Sequence, residues 1–114
     1  MILITETLRA QLLSNGQQSL DDDDFDPPPV VKLLAPDAGA TWLLTEIDPD
    51  DHDRAFGLCD LGQGFPELGY VSLATLQSVR GPLGLPVERD LYFRASKPIS
   101  AYACEARLAE RIVT

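Results

Sequence analysis

Ligands for a soft metal are scarce in this sequence. His52 is the only histidine, so no zinc site built on several histidines is available. The two cysteines, Cys59 and Cys104, form no Cys-x-x-Cys pair, so no redox motif or zinc knuckle is written here. Both are expected to be buried thiols in a reducing compartment. No apolar run approaches the length of a membrane span. The opening MILITETLRA has no basic n-region, so no signal peptide is expected and the expected location is cytoplasmic. Bases are scarce too: nine Lys and Arg stand against 18 Asp and Glu, for a net charge of −9.

The deficit of bases is uneven. Residues 1–79 carry 14 acids and 3 bases, whereas residues 80–114 carry 4 acids and 6 bases. Between 21 and 53 there are 11 acids and a single base, Lys32. Such a field repels nucleic acid, so direct binding of DNA or RNA is disfavoured. The densest stretch, DDDDFDPPP at 21–29, sets five carboxylates within six positions ahead of three prolines. Adjacent like charges repel, and proline has no N–H for a ladder, so this stretch reads as an extended linker, mobile from about residue 17.

What is present between these features is ordinary globular patterning: 45% hydrophobic and 24% charged residues in 114 positions, enough for one domain. Residues 5–15 predict a helix capped by Thr5, with Leu8, Leu12 and Leu13 on one face and Gly16 as its stop. Strands are predicted at 30–36, 41–47, 55–61 and 68–73, joined by turns at PDAGA and GQGFPE, with DPDDHDR (48–54) as a loop tip. Ser72 caps a predicted helix over 73–80, ended by Gly81 and Pro82. A last strand is predicted at about 89–95 and a second long helix at 98–112, with Ser100 as its cap. Trp42 and Phe93 are expected to be buried between sheet and helix. The expected class is α+β: an antiparallel meander of about five strands with helices packed on one face. The expected organisation is an N-terminal helix and acidic Pro-rich linker over 1–29 and a single α+β domain over 30–114.

Four pieces carry a family resemblance: PDAGATWLLTE (36–46), AFGLCDLG (55–62), PELGYVSL (66–73) and RGPLGLPVERDLYF (80–93). Over about residues 27–103 the chain resembles the domain-of-unknown-function family numbered 2958. That resemblance implies a small protein of plasmids and integrative elements, encoded near antirestriction and transfer functions. It implies no catalytic residues, and it does not take in the acidic run.

The candidate constellations sort by chemistry. An EF-hand counted from Asp48 meets His52 at its fifth position, Asp53 at its sixth and Cys59 at its twelfth, and fails at all three. No metal and no cofactor is expected. Cys59 and His52 flank a hairpin tip, with the thiol inside and the imidazole outside, which argues against a nucleophile–base dyad. If residue 47 pairs with 55, Glu46 faces Phe56, Asp60 faces Trp42, and the two carboxylates lie about 13 Å apart, too far to share a proton. The glycines of GLCDLGQG (57–64) lack the strand–loop–helix context of a phosphate cradle and are read as turn formers. The acids remain. Solvation alone accounts for many charge runs. The sharper reading is a working surface made of Asp21, Asp22, Asp23, Asp24, Asp48, Asp50, Asp51 and Asp53, with Asp26 beside them. Closely spaced negative charge resembles the edge of a duplex.

The functional expectation is therefore a non-enzymatic interaction protein of a mobile element. Its expected partner is a protein, in the concrete version a DNA-binding host-defence enzyme held through an acidic, DNA-mimicking face. No membrane is involved. The alternative is a small enzyme or ligand-binding domain that uses the glycine-rich turns beside the sheet. A convex acidic ridge favours the first and a deep polar pocket the second.

Overall fold

The computed structural model describes residues 1–114 and has the expected α+β class. Helix α1 spans Glu6–Asp21, strands β1 to β4 span Val31–Ala35, Ala40–Asp48, Asp51–Asp60 and Glu67–Ser72, helix α2 spans Leu73–Ser78, strand β5 is Glu88–Arg89, and helix α3 spans Ile99–Ala109. The sheet is antiparallel with order β4-β3-β2-β1-β5. β1 to β4 form the meander, and the chain then returns to lay β5 on the far edge, against β1.

Side chains alternate through a strand, so a central sheet has two faces to cover. Leu33, Trp42 and Leu44 point to one face, where Leu12 of α1 and Leu73 and Leu76 of α2 complete the larger core. Leu43 and Leu58 point to the other, where Ile99, Tyr102, Ala103 and Ala106 of α3 cover them. The helices thus divide between both faces instead of sharing one. The cause is legible in β2, whose residues 42–45 are buried on either side, leaving no wet face for the sheet to keep. Trp42 is 4% exposed, as expected. Phe93 is only half-buried and lies in the opposite layer, tilted against Tyr102 at 6.3 Å.

α1 runs past its expected end. Thr5 caps it, accepting the Leu8 N–H at 3.3 Å. Gly16 does not stop it. A Cβ there would lie 2.0 Å from the Ile47 carbonyl oxygen, so glycine lets helix and strand approach at a distance no other residue permits. Asn15 Nδ2 donates to the Thr45 carbonyl at 2.9 Å beside this contact. The segment after α1 is not free either. Pro27 and Pro29 are buried. The Pro27 carbonyl accepts the Ile99 N–H at 2.9 Å, and the Val30 N–H donates to Leu44 at 2.8 Å. Prolines here supply a preset extended path along the domain, so the expected mobile linker is a packed strap.

Two strands also differ from expectation. The hairpin tip is tight, with Asp48 opposite Asp51 and Pro49 and Asp50 turning the chain, so residues 51–54 belong to β3 and not to a loop. β5 stops after two residues. Asp90 then turns the chain, its Oδ1 accepting the Tyr92 N–H at 2.9 Å. α2 begins as expected, with Ser72 accepting the Thr75 N–H at 3.1 Å.

Candidate functional site

Asp21 is the last residue of α1 and Asp22 its C-terminal cap. The Asp22 backbone N–H donates to Gln18, and its carboxylate turns back to accept the Asp24 N–H at 3.0 Å. Asp21 to Asp24 are all exposed. Their position is electrostatically adverse. The C-terminus of a helix carries partial negative charge, where carboxylates destabilise and bases stabilise. The last turn of α1 holds no base.

The hairpin tip lies at the same end of the molecule. Gly16 rests on Ile47 and the Pro49 ring, and the Ser19 side chain hydrogen-bonds to Glu46. Asp21 is one further turn along the helix. Burial pushes the Glu46 carboxyl above its ordinary range, the Ser19 bond opposes this, and the negative charge of Asp48 adds to it. The close packing of α1 on β2 therefore brings the C-terminal half of α1, which leads into the acidic run, to the hairpin end of the sheet.

Each acid of the tip has its own setting. Asp48 accepts the Asp50 N–H at 2.8 Å and so shapes the turn, with proline at the following position. Asp51 accepts the Asp53 N–H at 3.1 Å. Asp50 and Asp51 are exposed. Asp53 is engaged in the fold: it accepts the Ser72 hydroxyl at 2.6 Å and the Ala74 N–H at 2.8 Å, which joins the tip of β3 to the start of α2. These two bonds hold the Asp53 carboxyl below its ordinary range. Asp26 is likewise structural, as the partner of Ser100 at the start of α3. Ser100 is not the cap it was expected to be, because α3 starts one residue earlier after Pro98, which has no capping side chain.

None of these acids meets a base. The chain has two ion pairs, Lys32–Asp90 at 3.5 Å and Lys97–Glu105 at 2.6 Å, and neither includes an acid of these two segments. Arg54, next in sequence to Asp53, is spent on the Tyr70 ring, with its guanidinium carbon 3.8 Å from the ring centre.

The other constellations do not converge. His52 is exposed, with its ring nitrogen 3.1 Å from the Pro49 carbonyl. Seven residue steps along β3 separate it from Cys59, about 23 Å at the usual rise. Burial pushes the Cys59 thiol up to about 11, away from the thiolate a nucleophile needs. Cys104 is exposed, contrary to expectation, because it lies on the outer side of α3. Glu46 faces Phe56 as expected, but Asp60 faces Thr41 and not Trp42. A bulge at Thr45 inserts one residue and moves the register between the two carboxylates. Asp60 is 4% exposed and accepts the Gly62 and Ile112 N–H groups, both at 2.9 Å. It pins the chain after α3 to the end of β3, a role nothing in its sequence context signals. Gly62 and Gly64 adopt φ of 78° and 85°, the left-handed turn conformation. The recess beside them, about 520 Å³, is lined by Gln63, Glu67, Arg107 and Glu110 with Phe65. It contains no paired nucleophile and base.

A family model matches residues 3–113. The chain belongs to the family described as protein of unknown function, DUF2958. The match takes in α1, the acidic run and α3, so the family's extent is wider than the 27–103 that its most distinctive strings suggest. No curated protein and no solved structure matches the chain. No helix is long and apolar enough to cross a membrane.

Proposed function

We propose that this DUF2958 protein is a non-enzymatic interaction protein that binds a protein partner through its acidic end. One observation carries the reading. Asp21 to Asp24 stand at the C-terminus of α1, against the helix dipole, beside the acidic tip of the β2–β3 hairpin, and no base within the chain neutralises either. Solubility could be supplied by acids anywhere on the surface. Grouping them where they destabilise the fold is the expected signature of a surface kept for binding. The family resemblance to proteins of plasmids and integrative elements supports the concrete version, an anti-defence or antirestriction role. In that version the exposed carboxylates stand in for the phosphates of a duplex in the basic groove of a DNA-binding defence enzyme. The site acids are Asp21, Asp22, Asp23, Asp24, Asp48, Asp50 and Asp51. Asp53 contributes charge while holding α2.

The test is competition. A labelled duplex is bound to each of a panel of restriction and other DNA-binding defence enzymes, and this protein is titrated in. Displacement that weakens steeply with salt is expected, because the field acts over about 8 Å at physiological ionic strength. Changing Asp21–Asp24, Asp50 and Asp51 to Asn should slow association more than it speeds dissociation. Ternary complexes without displacement, or binding indifferent to salt, would remove the mimic and leave the acids as solvation.

A further inference from the structure

Bases of the C-terminal third gather at a second place in the fold. After β5 the chain crosses to α3 through residues 90–98, and between this crossing and α3 lies a cavity of about 450 Å³. Lys32 reaches it from β1, Arg94 and Lys97 from the crossing, and Tyr102 from α3. Its wall is fixed. The Ser96 N–H donates to the Tyr102 hydroxyl at 3.1 Å, Phe93 tilts against the Tyr102 ring, and Lys97 Nζ sits 4.5 Å over that ring. Both ion pairs of the chain line the cavity, Lys32 with Asp90 and Lys97 with Glu105. Arg94 has no carboxylate. The side chains that line the cavity hold three cations and two carboxylates, and Thr114 lines it too, its hydroxyl accepting from Lys32 Nζ at 2.7 Å.

We infer that this cavity binds a small anionic ligand carrying a planar ring, of about the size of a nucleoside monophosphate. The unpaired Arg94 guanidinium, flanked by Lys32 and Lys97, offers a planar fork that suits a phosphate or carboxylate. The volume falls within the usual range of small-molecule sites. Tyr92 lines the cavity and is 90% exposed, so its ring is open for a flat group to stack on. The ligand is small for an electrostatic reason. A polyanion extending beyond the cavity would enter the net negative field of the rest of the chain, whereas a single anionic group stays within reach of the three cations. This cavity shares no lining residue with the partner-binding acids or with the recess beside the glycine-rich turn, so the proposal stands or falls independently of that surface.

The test is an NMR titration of the full chain with adenosine monophosphate, phenyl phosphate and benzoate, with adenosine and inorganic phosphate as the half-ligands. Saturable shifts at Arg94, Lys97 and Tyr102 are expected for at least one of the ring-bearing anions. The matching half-ligands should bind at least about tenfold more weakly, since each supplies one of the two contacts. Arg94→Gln should weaken the bound anion about tenfold, the loss of a charge-assisted pair. It should leave the melting temperature unchanged, because Arg94 is exposed and makes no ion pair. Tyr92→Ala should weaken only the ring-bearing ligands. The inference is overturned if no anion of the panel gives saturable shifts there at millimolar concentration, or if Arg94→Gln binds as tightly as the parent.

Discussion

Asp26 closes the N-terminus of a distant helix, α3: its carboxylate accepts the N–H of Ser100, 74 residues downstream, at 3.1 Å and also the Ser100 hydroxyl. An acid of the charge run is thus a structural cap supplied from another segment. Asp26→Ala should cost about 0.5–2 kcal/mol, the usual loss for a removed cap. Asp26→Asn, which keeps an acceptor, should cost less. Urea unfolding of both variants checks this, and an Asp26→Ala protein as stable as the parent would detach the strap from α3.

The neighbouring acids should behave in the opposite way. Changing Asp21, Asp22, Asp23 and Asp24 together to Asn relieves repulsion at the helix C-terminus and should raise stability by about 1 kcal/mol at low salt. The gain should fade as salt rises. Thermal melts at two ionic strengths read it directly. A loss of stability would show that these carboxylates hold the fold together and would withdraw the main support for a binding role.

Gly16→Ala separates propensity from packing. In an exposed helix the change gains up to about 1 kcal/mol. Here the new methyl would meet the Ile47 carbonyl at 2.0 Å, so helix and strand must part. A net loss of about 1–3 kcal/mol is expected from overpacking. The sign of the change in a denaturant melt decides between the two.

Trp42→Ala should cost about 3–5 kcal/mol, as for other buried aromatics. The ring lies in the larger core with Leu33 and Leu44 on its own face of the sheet. A variant as stable as the parent would place Trp42 at a surface.

Two carboxyls give opposite pH dependences. Asp53 is depressed by its bonds to Ser72 and Ala74, so its contribution is present above its unfolded pKa and is lost as pH falls through the folded value. Asp53→Asn should flatten the acid limb of the stability curve. Glu46 is raised by burial, so the folded state holds its proton more tightly, and stability from this site is full below the unfolded pKa and lost as pH rises through the folded value. Glu46→Gln should gain stability relative to the parent as pH rises from the acid range toward neutrality. Melting temperatures across the acid range distinguish the two.

Thiol chemistry checks the packing of β3 and α3 together. Near pH 8, Cys104 should alkylate at an ordinary rate, whereas Cys59, with its thiol pushed up to about 11, should react only on unfolding. Mass spectrometry of a timed iodoacetamide reaction reads both sites. Early labelling of Cys59 would mean that the edge strand β4 opens readily.

The sequence by itself determined what is local. Thr5 and Ser72 cap helices because a hydroxyl there reaches an N–H a few residues on, whatever the rest of the chain does. β-Branched and apolar runs bounded by turns rich in Gly, Pro and Asp placed β1 to β4, and the lopsided charge marked the acidic segments. The tertiary structure decided whatever depends on approach between distant segments. Gly16 reads as a helix stop until Ile47 lies against it. DDDDFDPPP reads as a free linker until the Ile99 N–H finds the Pro27 carbonyl, Ser100 finds Asp26, and Leu44 holds the next residue, Val30. The bulge at Thr45 leaves no mark in residue type, yet it resets which residue faces Asp60 and brings Ile47 onto the same face as Trp42 and Leu44. The cavity around Arg94 is assembled from four segments that are unremarkable one by one. Local propensity acts through neighbours along the chain, whereas register, close packing and the meeting of charges are settled by the free energy of the whole fold.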